Sequence, residues 1–213
     1  MSEVNKFVRW LHRERSVAID LDDFGIALRA VPNQKLDIRR VPVEIQDGAS
    51  NGYYNIAAMD GSRPAIYWIN LKSVGDWPKY SLPALTYHEG TPGHHFQLAI
   101  QQQQKKLPFF RRIIPAVAYS EGWALYAESL CKEMNAFPDI AADFMRLDAE
   151  LFRAARLVVD TGLHAMGWTE DEAVTFMNTT GRQPIERSRS EVRRYITLPG
   201  QATGYKIGML KIM

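Results

Sequence analysis

Residues 88–95 read His88-Glu89-Gly90-Thr91-Pro92-Gly93-His94-His95, so three of the chain's five histidines fall within eight residues. A zinc metalloprotease helix usually carries HExxH, because an i, i+4 spacing stacks two imidazoles on one face with the glutamate beside them as general base. Here the position of the second histidine is taken by Pro92. On an unbroken helix His94 would point away from His88, and His95, on the same face, would stand about 10.5 Å further along the axis. Zinc–nitrogen bonds of about 2.0 to 2.1 Å cannot bridge that gap. Either there is no site, or the helix is interrupted. The intervening residues are interrupters: Pro92 lacks an N–H and clashes with the preceding turn, Thr91 is pushed from helical angles, and Gly90 and Gly93 accept unusual ones. A bulge there swings His94 back; the competing explanation is a set of helix-end histidines beside a loop.

Working outward, Tyr119-Ser120-Glu121-Gly122-Trp123-Ala124-Leu125-Tyr126-Ala127-Glu128 supplies carboxylates. On a helix, Val117, Glu121, Ala124, Glu128 and Cys131 share one stripe, so two acids lie on an otherwise small or apolar face. Such a carboxylate needs a cation, a metal or several hydrogen bonds. Glu121 follows His94 by 27 residues, enough for a turn and an antiparallel return. A two-histidine, one-glutamate zinc site satisfies all three groups; pairing of Glu121 and Glu128 with Arg153 and Arg156 is the alternative. Further along, Asp160 and His164 are i, i+4 neighbours able to hydrogen-bond. Tyr195 and Tyr205 are candidate hydroxyl donors, and the basic run from Arg187 to Arg194 is by default a solvated helix face.

The rest of the chain frames this region as a mostly α (α+β) fold. Residues 3–17 have the pattern of an amphipathic helix. Leu36 to Ile45, Tyr53 to Met59 and Ala65 to Leu71 read as short strands, with a hairpin at Asp60-Gly61. Helices are expected at 82–106, 110–135, 139–166 and 170–179, the last opened by a capping box of Thr169 and Glu172 after Gly167. Helical composition continues from Pro184 to Tyr195 and from Tyr205 to Ile212. The whole forms one domain over 1–213: a helix and connector over 1–35, a short β-hairpin region with a small antiparallel sheet over 36–75, and a helical metal-site region over 80–213.

Composition narrows the function. With 213 residues and 46% of them apolar, the chain can bury a sizeable core and is not a disordered polymer. Twenty-six Lys and Arg against 24 Asp and Glu leave a net charge of +2, too weak a field for nucleic acid. The longest apolar runs, such as Ile113 to Ala118, fall short of the roughly 20 residues of a membrane span. The single Cys131 excludes an internal disulfide framework and multi-cysteine metal sites, so a bound metal must rest on histidines and carboxylates. No secretory signal is legible in Met1-Ser2-Glu3-Val4-Asn5-Lys6. The chain as given reads as cytoplasmic, or as envelope or secreted if a longer parent carries a signal; an uncapped helical segment at Met213 points to such a parent.

HEGTPGHHFQ (88–97), YSEGWALYAE (119–128), RLVVDTGLHAMGW (156–168) and EVRRYITLPGQATGYKIG (191–208) resemble, in order, the motifs of bacterial domain-of-unknown-function family number 885, a zincin-like group of gluzincin type among the metallopeptidases. The likeness runs from about Tyr53 to Met213. Family members are longer, with a large helical part before this region, and many are lipoproteins or secreted, so the chain resembles their C-terminal catalytic part. The resemblance implies His88 and His94 as metal ligands, with His95 as the competing choice, Glu89 as general base and Glu121 as third ligand.

The resulting expectation is a zinc-dependent peptidase holding one Zn²⁺ per chain and acting on a peptide or small amide through a metal-activated water. His164, Tyr195 and Tyr205 are the candidate oxyanion donors. Glu128, Asp160 and His95 are the candidate supports that orient ligands and donors. The strand from Ala65 to Asn70 is a candidate for pairing with an extended peptide. Arg193 or Arg194 is the candidate clamp for a substrate C-terminal carboxylate, the reading under which the enzyme is a carboxypeptidase or dipeptidase-like. The alternatives are a zinc hydrolase of a non-peptide amide or ester, and an inactive zincin-like scaffold.

Overall fold

β-branched and aromatic residues set three short strands before the helices begin. The computed structural model describes residues 34–47, 49–72 and 78–213, so the helix expected over 3–17 lies outside it. Strands β1 (Leu36–Arg40), β2 (Gly52–Asn55) and β3 (Ala65–Ile69) pair in the order β1-β3-β2. β2 and β3 are antiparallel, with Tyr54 opposite Tyr67. The loop joining them turns at Asp60 and Gly61, where the Asp60 carboxylate accepts from the Ser62 N–H at 2.9 Å. β1 adds to the far side of β3 in parallel, with Ile38 opposite Tyr67, which makes the sheet mixed rather than wholly antiparallel. The cause is the return after β1, through a 3₁₀ turn at Val43–Ile45, which carries the chain past β3's position before it reverses into β2. β3 is therefore the central strand and has no free edge for a peptide. Among the described residues the strand with one neighbour that also borders the main cavity is β2, through Gly52, Tyr53 and Tyr54.

From Leu82 onward the chain is helical: α1 (Leu82–Glu89), α2 (His94–Gln103), α3 (Phe109–Ile113), α4 (Val117–Glu133), α5 (Ile140–Ala165), α6 (Glu170–Thr179), α7 (Ile185–Thr197) and α8 (Gly204–Ile212). The single helices expected over 82–106 and 110–135 each occur as two. Gly90 to Gly93 breaks the first, and the second breaks before Val117 because Pro115 cannot continue the ladder. The capping box forms as expected, Thr169 and Glu172 bonding each other's backbone N–H. Asp139 caps α5 by accepting from the Ala142 N–H at 2.8 Å. No helix among the described residues is long and apolar enough to cross a membrane.

Phe152, Val159, Ala173, Met177, Val192 and Tyr195 form the buried apolar core where α5, α6 and α7 meet. α8 packs against α4 through a pair of glycines. A Cβ on Gly122 would stand within 2.5 Å of Gly208 Cα, and one on Gly208 would overlap the Ala118 carbonyl oxygen, so the two backbones touch where no side chain fits. This crossing sets the distance between Glu121 on α4 and Tyr205 on α8. Gly208→Ala is expected to lower stability by about 1 to 3 kcal/mol through overpacking, measured as a shift of the urea midpoint at unchanged slope.

Candidate metal centre

The break between α1 and α2 is what brings the two histidines together. α1 ends on His88 and Glu89, the chain turns over Gly90 to Gly93 with a cis Thr91–Pro92 bond, and α2 restarts at His94. Gly93 passes so near the His88 and Tyr87 carbonyl oxygens that any Cβ there would overlap both. The turn is held by His95 N–H donating to Gly90 O at 3.1 Å and by the Trp123 indole N–H donating to Pro92 O at 2.8 Å. As a result the His88 and His94 rings lie 4.8 Å apart and nearly perpendicular.

Glu121, in the second turn of α4, faces both rings. Its Oε2 lies 3.2 Å from His94 Nε2 and 3.5 Å from His88 Nε2, and is buried with no hydrogen bond among the described residues. One ligand atom from each of His88, His94 and Glu121 falls within 4.8 Å of the others, so the group could hold a metal ion. Two imidazole nitrogens and one carboxylate oxygen are the donor set of a hydrolytic zinc site that keeps a position open. Glu128 Oε1 lies 2.7 Å from His88 Nδ1. A carboxylate acceptor makes Nδ1 the donor and leaves Nε2 free to face Glu121, the arrangement that orients metal-ligating histidines. Glu89 is buried beside the cavity, with Oε2 unpartnered among the described residues. The residues fit a divalent metal.

The electrostatics follow from burial and neighbours. Burial works against charge on His88, but Glu121, Glu128 and Glu89 outweigh it and push its pKa up to about 9. Burial also opposes charge on Glu121, and the two facing imidazoles win, holding it well below the usual carboxylate range. At Glu89 burial prevails over His88 and His94, and its pKa rises. Burial, helped by Glu121, likewise raises Tyr205, which keeps its hydroxyl protonated as a donor.

A cavity of about 520 Å³ opens on this group, and it sorts the remaining candidates. Tyr205 lines it, its ring stacked on His88 at 6.2 Å. Tyr195 is buried behind it, donating its hydroxyl to Glu191 at 2.8 Å and accepting from Arg156 Nε at 2.9 Å. His164 is exposed, with Nε2 3.1 Å from the Tyr195 carbonyl oxygen. Asp160 holds the Gly200 N–H at 3.0 Å rather than His164, so the expected pair does not form. Neither His164 nor Asp160 borders the cavity. His95 points away from His88, between the Tyr54 hydroxyl and the Gln34 carbonyl, each at 3.1 Å. Arg193 is exposed and bound to Glu170 at 2.9 Å, whereas Arg194 borders the cavity and pairs with Glu191 at 3.0 Å. Arg153 and Arg156 do not pair with Glu121 or Glu128; Arg156 donates to Glu191 at 2.9 Å instead. Arg187 is exposed, as expected of a solvated face, and also borders the cavity together with Arg153 and Arg156. The spacing Arg187, Glu191, Arg194 places one face of α7 there, a signal present in the sequence.

Residues 11–213 match the model of a family described as bacterial protein of unknown function, DUF885. The chain belongs to the DUF885 family. Among solved structures, a "putative lipoprotein" from Colwellia psychrerythraea superimposes with a TM-score of 0.83 at 44% identity, over 98% of this chain and 34% of that one. A "putative lipoprotein of unknown function" from Shewanella oneidensis shares the fold, with a TM-score of 0.70 at 18% identity over 98% of this chain and 37% of that one. This DUF885 chain thus spans about a third of the length of the solved relatives. No curated protein matches it.

Two expectations follow for this DUF885 chain. Glu128→Ala, which loses the acceptor at His88 Nδ1, is expected to weaken metal affinity about 10- to 100-fold in a competitive zinc titration, while His95→Ala binds as the wild type does. Glu191 is held at about 2 because Arg156 and Arg194 outweigh its burial. A lowered folded pKa stabilises the protein above the unfolded value of about 4.3. The Glu191→Gln penalty, about 3 kcal/mol at pH 6, is therefore expected to shrink from pH 5 downward and vanish as pH falls through about 2, read by denaturant unfolding at each pH.

Proposed function

We propose that the chain is a zinc-dependent peptidase whose site is His88, His94 and Glu121 with Glu89 as the proton-transferring group. The observation that carries this reading is the buried His-His-Glu group with the unpartnered Glu89 Oε2 beside it, all at one cavity. Zinc held there supplies a water acidified to a pKa of about 7 and a Lewis acid for a carbonyl oxygen. Glu89 accepts the proton of the attacking water and returns it to the departing amine, and its raised pKa suits a group that must both take and give. Glu128 fixes the His88 ring through Nδ1. Tyr205, protonated, stacked on His88 and lining the cavity, is the proposed donor to a developing oxyanion. The β2 edge beside the cavity offers backbone groups to an extended peptide, in place of β3.

A peptide or small amide is the proposed substrate and one zinc per chain the proposed stoichiometry. Envelope association is proposed from the relatives described as lipoproteins. Glu89→Gln is expected to keep one zinc per chain by elemental mass spectrometry and to lose about 10²- to 10⁴-fold of peptide hydrolysis on a fluorogenic peptide panel. Undiminished hydrolysis by Glu89→Gln, or a wild type that takes up no zinc, overturns the reading.

A further inference from the structure

The wall of the cavity formed by α5 and α7 carries four guanidinium groups: Arg153, Arg156, Arg187 and Arg194. Two carboxylates share that wall, Asp148 and Glu191. One oxygen of Glu191 serves both Arg156 Nη2 at 2.9 Å and Arg194 Nη2 at 3.0 Å, and accepts from the Tyr195 hydroxyl at 2.8 Å. That leaves donors over. Arg156 is 5% exposed, and its Nη1 is buried with no partner among the described residues; the same holds for Arg153 Nε. Arg187 makes no hydrogen bond or ion pair among the described residues, and its guanidinium lies 5.1 Å from the centre of the buried Phe152 ring.

These groups converge. Phe152 has the guanidinium carbons of Arg156, Arg187 and Arg153 at 4.3, 5.1 and 5.7 Å from its ring centre. Arg156 and Arg153 also sit 4.7 and 5.8 Å from the Tyr205 ring centre. Of the three only Arg156 is buried, and a buried guanidinium with a free donor is costly unless an acceptor meets it; Arg153 is half-buried, its Nη1 donating to the Ala149 carbonyl at 3.3 Å, and Arg187 is exposed at the cavity rim. Three guanidinium groups around the Phe152 ring, two of them also at Tyr205, outnumber the carboxylates on that wall, Glu191, which Arg156 and Arg194 share, and Asp148. Guanidinium forks suit a planar carboxylate, which they grip by two parallel N–H bonds. Tyr205 touches both the His88 ring and Arg156, which sets the anion beside the reacting centre rather than at a remote surface.

We propose that Arg153, Arg156 and Arg187 form a carboxylate subsite that selects substrates bearing a carboxylate close to the amide bond to be broken. The proposal deepens the peptidase reading and rests on it for the ligand being a substrate. The carboxylate's source is either a peptide's free C-terminus or an acidic side chain. Arg194 is left to Glu191 and Gln201, and Arg193 lies outside the cavity.

The test is a calorimetric titration of the metal-free chain, so that no carboxylate can bind through zinc, with four probes. N-acetyl-leucine carries only an α-carboxylate, N-acetyl-isoglutamine only a side-chain carboxylate, N-acetyl-leucinamide neither, and inorganic phosphate stands for a general anion. One or both carboxylate probes are expected to bind, naming the source, and the amide is not. Arg187→Gln and Arg153→Gln are each expected to weaken that binding at least tenfold. Arg156→Lys, which keeps the charge and loses the fork, is expected to weaken it as well. Arg189→Gln, whose partners Glu170 and Asp171 lie outside the cavity, is expected to leave it unchanged. Equal binding of acid and amide, wild-type affinity in the Arg187 and Arg153 variants, or tighter arginine-dependent binding of phosphate overturns the proposal. Arginine-dependent carboxylate binding by a chain that takes up no zinc sustains the subsite and removes the peptidase reading; zinc-dependent hydrolysis indifferent to a C-terminal amide and to both arginine variants does the reverse.

Discussion

Gly93 lies against the carbonyl oxygens of His88 and Tyr87 with no room for a side chain, and the site depends on that contact. In an unbroken helix, six residues of rise would hold His94 far from His88 and on another face. The tight passage instead ends one helix and starts the next, so two imidazoles meet from two different axes. Trp123 then ties the turn to α4 through Pro92, which fixes the helix carrying Glu121 to the loop that presents the histidines. One packing constraint therefore sets both the histidine pair and the acid that faces it.

The cavity is electrically divided. Glu89, Glu121 and Glu128 crowd around His88 and His94, so that part of the wall carries more carboxylates than imidazoles and could hold a metal ion. Across α5 and α7 the balance is reversed, with guanidinium donors exceeding their acceptors. Because low-dielectric surroundings raise the cost of every unpaired charge, each imbalance is a statement about what the cavity takes in. Tyr205 stands where the two parts meet, in contact with an imidazole on one side and guanidinium groups on the other.

The helical order, the capping box at Thr169, the strand segments and the histidine–glutamate group were legible because each rests on local chemistry: periodicity, a side chain three residues from its backbone partner, or a proline that no helix accommodates. Pro92 and its flanking glycines showed that the helix breaks, and the break favours His94 over His95 by aiming His95 at Tyr54 and Gln34. What the sequence did not disclose depends on tertiary position. Asp160 and His164 had the right spacing, yet the Gly200 N–H reached Asp160 first. Arg187 is exposed, as a solvated face requires, but that it also borders the cavity beside Phe152 depends on where α5 lies. β3 looked available to a peptide until β1 closed its second edge, a parallel pairing that no local turn announces.

The two parts of the cavity wall come from separate stretches of chain. The metal group and its supports lie on α1, α2 and α4, within residues 88–128, while the arginines lie on α5 and α7, within residues 153–194. α5 packs against both α1 and α4, so the two stretches share contacts, yet under the proposed function a substitution at one of the arginines alters which ligand is held while the histidine–glutamate residues themselves stay the same. Tyr205 is the exception, since a change there is felt by both halves at once.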